Sequence, residues 1–229
     1  MKTKAISIAA TALLLALSVK ANTVSYSQSY NNTLELNSSL ALQQFDTSLG
    51  TLTSITLGLY ASTVTSGTVE NTSSEIAFGS GSFVESQTSF QLGNSTIDNA
   101  IAANLTISSG YFLTIGGIDY DIVGLASGES MQVNGLTANG DTTGSYNSSD
   151  AFYTMVEGNG TFAIDFSTYS ATLTSISPAG DTVSATLTGS GALVGVVTYN
   201  YTAAPVPEPT TMALFGIGSL GLFLIRRRK

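Results

Sequence analysis

The chain has 229 residues, 43% of them hydrophobic, and a formal net charge of −8, a length that accommodates one β-rich domain or two very small ones. Its seven basic residues are Lys2, Lys4, Lys20, Arg226, Arg227, Arg228 and Lys229, whereas all fifteen acids except Glu208 lie between Asn22 and Ala204. A middle without a single cation excludes nucleic-acid binding and disfavours docking on anionic lipid, and the absence of Cys and His removes disulfides, thiolate chemistry, Ser-His-Asp triads and His-containing zinc sites.

The front of the chain reads as an export signal. Met1-Lys2-Thr3-Lys4 is positively charged, and Ala5 to Val19 is apolar apart from Ser7, Thr11 and Ser18. Val19 and Ala21 then supply small residues at the −3 and −1 positions of a cleavage site. Residues 1–21 are therefore expected to be a signal peptide, cut after Ala21 by signal peptidase.

Residues 22–204 are expected to form the exported domain. Apolar and polar residues alternate in many short runs, among them Thr33-Leu34-Glu35-Leu36-Asn37, Leu52 to Leu57 and Thr182 to Thr188. A period of two with many β-branched residues predicts half-buried strands. Asn134-Gly135, Asn139-Gly140-Asp141 and Gly116-Gly117 read as turns between them. No window carries a convincing amphipathic helix. The fold expected is all-β, an antiparallel β-sandwich.

One segment is more distinctive, Gln44-Phe45-Asp46-Thr47-Ser48-Leu49-Gly50-Thr51-Leu52-Thr53-Ser54-Ile55. By position Phe45, Leu49, Leu52 and Ile55 are core anchors, and Asp46 and Gly50 shape a turn between strands. The segment resembles the opening motif of the choice-of-anchor E domain. That resemblance implies a β-rich exported domain, over residues 22 to about 202, which is joined in different proteins to different C-terminal anchors.

Few constellations in this region carry chemistry. Carboxylate pairs are the remaining candidates for catalysis, as in glycoside hydrolysis. Asp119 and Asp121, two apart on a presumed strand, share one face. Asp141 to Asp150 is a polar, acidic stretch whose oxygens suit Ca²⁺, although it lacks the ligand order of an EF-hand. With no cation to pair with, the acids are expected to repel one another and raise some carboxylate pKa values. The bland reading is a solvated, non-catalytic domain with no cofactor and no catalytic residue. Its alternative is a carbohydrate-binding or carbohydrate-active protein that uses carboxylates and its ten Tyr.

The end of the chain, residues 205–229, has three parts. Pro207-Glu208-Pro209 is stiff and non-helical, because proline fixes φ and removes a donor. Thr211 to Ile225 is a fifteen-residue run with few polar interruptions, and Arg226-Arg227-Arg228-Lys229 closes the chain. As a helix the run spans about 22 Å against a hydrocarbon core of ~30 Å, a gap that snorkelling arginines narrow. The cluster should stop transfer on the cytoplasmic side and leave the acidic domain outside. This order of parts resembles the PEP-CTERM sorting signal, also labelled an ice-binding protein C-terminal domain. The resemblance implies processing near Pro207-Glu208-Pro209 by an exosortase, an integral-membrane cysteine protease of Gram-negative bacteria that make extracellular polysaccharide. It also implies transient residence in the inner membrane through 211–225, followed by display at the cell surface or release. The role expected is a non-catalytic surface or matrix protein associated with extracellular polysaccharide or biofilm.

Overall fold

Thr, Val, Tyr and Ile favour the pleated surface, and here they recur at alternate positions long enough to build strands of unusual length. The computed structural model describes residues 21–33, 37–74, 78–105, 111, 113–115, 119–177 and 182–204. The expected signal peptide up to Lys20, and the whole tail from Pro205, including Pro207, Glu208, Pro209 and Arg226 to Lys229, lie outside the described residues. In chain order the elements are β1 (Ala21–Thr33), β2 (Asn37–Gln43), a 3-10 turn (Thr47–Leu49), β3 (Gly50–Asn71), β4 (Phe83–Leu92), α1 (Thr96–Ala102), β5 (Leu113–Ile115), β6 (Asp119–Asp121), β7 (Ser130–Tyr146), α2 (Ala151–Met155), β8 (Thr161–Ser175) and β9 (Val183–Ala203).

Two antiparallel sheets result. One has the order β1-β9-β3-β7, and the other β2-β8-β4-β5 with β6 pairing further along β4. Their inner faces share a core in which Leu40, Phe90, Ile164 and Phe166 meet Ile55, Leu57, Leu59, Leu193 and Val197. A second, smaller cluster gathers Val69, Phe78, Val84, Ile122, Leu125 and Val133. The expected all-β, sandwich-like arrangement is what the described residues adopt.

The details depart from the sequence reading in several places. Asn134-Gly135 and Asn139-Gly140-Asp141 make no turn, because β7 runs straight through both. Asn134-Gly135 instead forms a bulge where the β3–β7 register shifts between Thr65 and Gly67. Gly135 there has φ 62°, and its N–H donates to Ser66 Oγ at 3.1 Å. Long flanking ladders override a local turn preference. Gly116-Gly117 and the middle of Thr33-Leu34-Glu35-Leu36-Asn37 lie outside the described residues, with β1 ending at Thr33 and β2 starting at Asn37. Two short helices, α1 and α2, were not expected. Both are under eight residues, too short to show a helical period.

Phe45, Leu52 and Ile55 are buried as expected, but Leu49 is 36% exposed and anchors no core. Phe45 is held from every side. Its N–H donates to Val156 O at 2.7 Å, its carbonyl accepts from Gly158 N at 2.9 Å, and its ring lies 5.5 Å from Tyr199 and 5.4 Å from Tyr201. Asp46 Oδ1 accepts from Ser48 N at 2.8 Å, closing the 3-10 turn. Gly50 then enters β3 with φ 148°, packed so closely that a Cβ would sit 1.9 Å from Thr202 O.

That contrast between two glycines is testable. Gly50→Ala should cost about 3 kcal/mol or more, since the added carbon meets backbone that cannot move without breaking a ladder. Gly135→Ala, whose Cβ would meet nothing within 4 Å, should cost about 1 kcal/mol, the αL penalty alone. Urea unfolding of the two variants beside the parent chain measures both, and equal costs would contradict this assignment.

Candidate functional site

The carboxylate pair singled out from the sequence does fall on a strand. Asp119 and Asp121 bound β6, which pairs with β4 so that Asp119 is opposite Glu85 and Asp121 opposite Phe83. Asp121 is exposed, and its Oδ1 accepts from Val123 N at 2.9 Å, so this carboxylate organises the turn that follows. Tyr120 between them packs on the smaller core cluster and donates to Gln132 O at 3.3 Å.

The acidic stretch considered for Ca²⁺ is only partly a loop. Asp141 to Tyr146 belong to β7, leaving 147–150 as the turn. Asn147 Oδ1 accepts from Ser149 N at 3.0 Å and from Ser149 Oγ at 2.6 Å, and Asp150 Oδ2 accepts from Asn147 N at 2.8 Å. Those oxygens close the turn that leads into α2. Among the described residues no group of three His, Cys, Asp or Glu side chains could hold a metal ion.

A carboxylate that the sequence reading passed over has the larger structural role. Asp98 in α1 is fully buried. Its Oδ2 accepts from Ser95 N at 3.1 Å and from Ser95 Oγ at 2.7 Å, while Ser95 Oγ accepts from Asp98 N at 3.2 Å. This is a capping box, and Ser95-Thr96-Ile97-Asp98 was its legible signal. Asp98 Oδ1 accepts from Asp165 N at 3.0 Å, so the same side chain fastens α1 to β8. Asp165 O in turn accepts from Gly93 N at 2.7 Å.

Beside this junction the outward residues of β2, β8 and the end of β4 line an open cavity of about 570 Å³. It includes Asn37, Ser39, Gln91, Asn94, Asp165 and Tyr169. Tyr169 is 48% exposed and meets Tyr111 edge to face, with ring centroids 6.0 Å apart. None of these six was picked out from the sequence as a candidate site residue. Their signal was the outward half of an alternation, in Asp165, Ser167 and Tyr169, which any solvated strand face also shows. A second concavity of about 330 Å³ lies on the other sheet beside Tyr60 and Asp141.

Two buried phenols lock the core to the backbone. Tyr146 OH donates to Ile101 O at 2.7 Å, and Tyr199 OH to Gln43 O at 2.8 Å. Burial holds both phenols protonated well above the usual tyrosine range, with Asp150 adding to the effect at Tyr146 and Tyr26 at Tyr199. Asp46 moves opposite to the expected repulsion. Hydrogen bonds from Ser48, side chain first and backbone second, hold its carboxyl below the usual range.

Residues 205–229 match the family model of the PEP-CTERM protein-sorting motif. The motif supports exosortase-dependent sorting of an exported protein. No curated protein matches the chain. Among solved structures, the infectious bursal disease virus Gt strain shares 10% identity over 94% of this chain and 51% of that chain, with a TM-score of 0.14. The Gx strain of that virus gives 12% identity, coverages of 87% and 47%, and a TM-score of 0.15. The chain thus spans about half the length of these viral chains, and likenesses so slight bear on neither fold nor function.

Two measurements follow from the anchors. Asp98→Ala should leave the part-buried N–H groups of Ser95 and Asp165 without this acceptor and lower stability by about 2 kcal/mol, read from the urea midpoint at neutral pH. The phenols act at the alkaline end. Because their folded pKa values are raised, their stabilisation is full below the unfolded tyrosine value near ~10 and is lost as pH rises beyond it. Unfolding midpoints should therefore fall steeply above pH ~10, and the Tyr146→Phe, Tyr199→Phe double variant should flatten that fall. An unchanged slope would show that other groups cause it.

Proposed function

We propose that this is an exported, non-catalytic protein of the cell surface or extracellular matrix, sorted through its tail by an exosortase and associated there with extracellular polysaccharide. The observation that carries the reading is the PEP-CTERM match at residues 205–229. Each part of that tail has a physical task. Pro207-Glu208-Pro209 interrupts regular structure and presents a short extended segment to a protease. Thr211 to Ile225 inserts, and Arg226 to Lys229 stop transfer on the cytoplasmic side. At the other end, signal peptidase would cut after Ala21, at the first residue of β1, and release a chain that begins on an edge strand.

The composition supports a passive role for the sandwich. It lacks Lys, Arg, His and Cys between Ala21 and Ala204, and so lacks the usual bases, activated nucleophiles and oxyanion cations. Of the Asp119 and Asp121 pair, Asp121 is engaged in its own turn. Gln44 to Ile55, which resemble the start of the choice-of-anchor E domain, carry the chain from buried Phe45 through the exposed 3-10 turn into β3, and residues 22–204 read as a domain of that kind joined to this anchor.

Changing Pro207, Glu208 and Pro209 together to Ala tests the sorting step. The variant should still insert through Thr211 to Ile225 and accumulate in the inner membrane at precursor mass, whereas the parent chain loses its tail and moves outward in an exosortase-containing host. Replacing Arg226, Arg227 and Arg228 should act differently, loosening the orientation of the segment. Intact mass with cell fractionation decides the matter. Identical processing of parent and triple-Ala chains would reduce the motif to a spacer before an ordinary anchor.

A further inference from the structure

The polar cavity on the outer face of the second sheet has a definite chemistry. β2, β8 and β4 bury alternate side chains, Leu40, Ile164, Phe166 and Phe90 among them, so the intervening residues must face outward. Those that line the cavity include two side-chain amides and a third at its rim (Asn37, Gln91 and Asn94), a hydroxyl (Ser39), a carboxylate (Asp165) and an exposed ring (Tyr169). None of these six side chains makes a hydrogen bond with another described residue, and Tyr169 has only its ring contact with Tyr111. All six line the cavity.

The frame beneath them is rigid. Asp165 is pinned through its N–H to the buried Asp98 carboxylate at 3.0 Å and through its carbonyl to Gly93 N at 2.7 Å. Tyr169 lies four residues along the same strand, about 13 Å away. Tyr111 packs edge to face against its ring at 6.0 Å.

We propose that this cavity binds a neutral polysaccharide chain, which lies along β8 with one sugar ring stacked on Tyr169 and hydroxyls bonded to Asp165, Gln91, Asn37 and Asn94. The inference rests on the surface-protein reading for its biological setting, and on the cavity for its chemistry. A carboxylate with no cation nearby repels phosphate, sulfate and uronate groups. Apolar cover is too limited for lipid. Amides that both donate and accept match a ligand whose hydroxyls do the same. The exposed ring suits the apolar C–H face of a sugar, and the open trough admits a chain over a lone monosaccharide.

Calorimetric titration of the full-length chain in mild detergent tests this, with cellohexaose, laminarihexaose and mannohexaose as neutral probes. An alginate hexamer and oligolysine serve as anionic and peptide probes. Saturable binding of at least one neutral hexasaccharide is expected. Tyr169→Ala should weaken it about tenfold, Gln91→Ala should weaken it less, and Tyr169→Phe should restore it. Failure of all three neutral probes, unchanged affinity in Tyr169→Ala, or preference for alginate or oligolysine would each overturn the proposal. The sorting reading fails separately. Tyr169→Ala should be exported and trimmed like the parent chain, so a defect in localisation speaks to the tail and a defect in titration to the cavity.

Discussion

The antiparallel ladder between β3 and β9 is the constraint on which the rest of this molecule hangs. It runs from Gly50 opposite Ala203 to Asn71 opposite Val183, with one shift between Leu52 and Ser54. Both cores grow from it. Ile55, Leu57 and Leu59 feed the main cluster together with Leu193 and Val197, while Val69 feeds the smaller one, with Val183, Ala185 and Leu187 packed against it. Because side chains alternate with a period of two, a slip of one residue would turn every one of these outward. Two local devices hold the register. Gly50 brings its backbone against Thr202 where a side chain would not fit, and Thr53 Oγ1 donates to Asn200 O at 2.8 Å across the shift.

Absence of cations shapes everything attached to that ladder. A buried carboxylate is ordinarily offset by Lys or Arg. Here Asp98 is offset by backbone and hydroxyl donors, and the donors come from two different elements. The acid therefore works as a clasp between α1 and β8. Tyr146 and Tyr199 do a related job with neutral groups, each donating to a backbone carbonyl on a distant element. A chain that places its positive charges at the two ends must staple its acidic middle with neutral or one-sided hydrogen bonds, and this one does.

The same composition makes the surface polar without making it basic. On the second sheet, rigid backbone at Asp165 presents amides and a tyrosine ring over an open trough. The tail and the trough are separable in chemistry. One is a linear signal that needs only an extended segment, an apolar run and terminal charge, and the other needs three strands in one register.

Legibility divides along that line. The tail was readable because Pro-Glu-Pro, apolar run and Arg cluster are contiguous, and contiguous features need no partner to exist. The all-β character was readable for the same reason, since alternation in Thr182 to Thr188 or Leu52 to Leu57 is local. Phe45, Leu52 and Ile55 could be assigned to the core from spacing, whereas Leu49 could not, because its exposure depends on how the 3-10 turn meets β9. Asn134-Gly135 looked like a hairpin turn and became a bulge, since only the neighbouring β3 supplies the ladder that carries β7 through it. Which outward residues gather into a trough was decided by tertiary structure alone. Asn37, Gln91 and Asp165 are far apart in sequence, and antiparallel register is what sets them on one face. Local periodicity determined what each segment is, and long-range pairing decided what stands beside it, because hydrogen-bond register is a property of two strands and never of one.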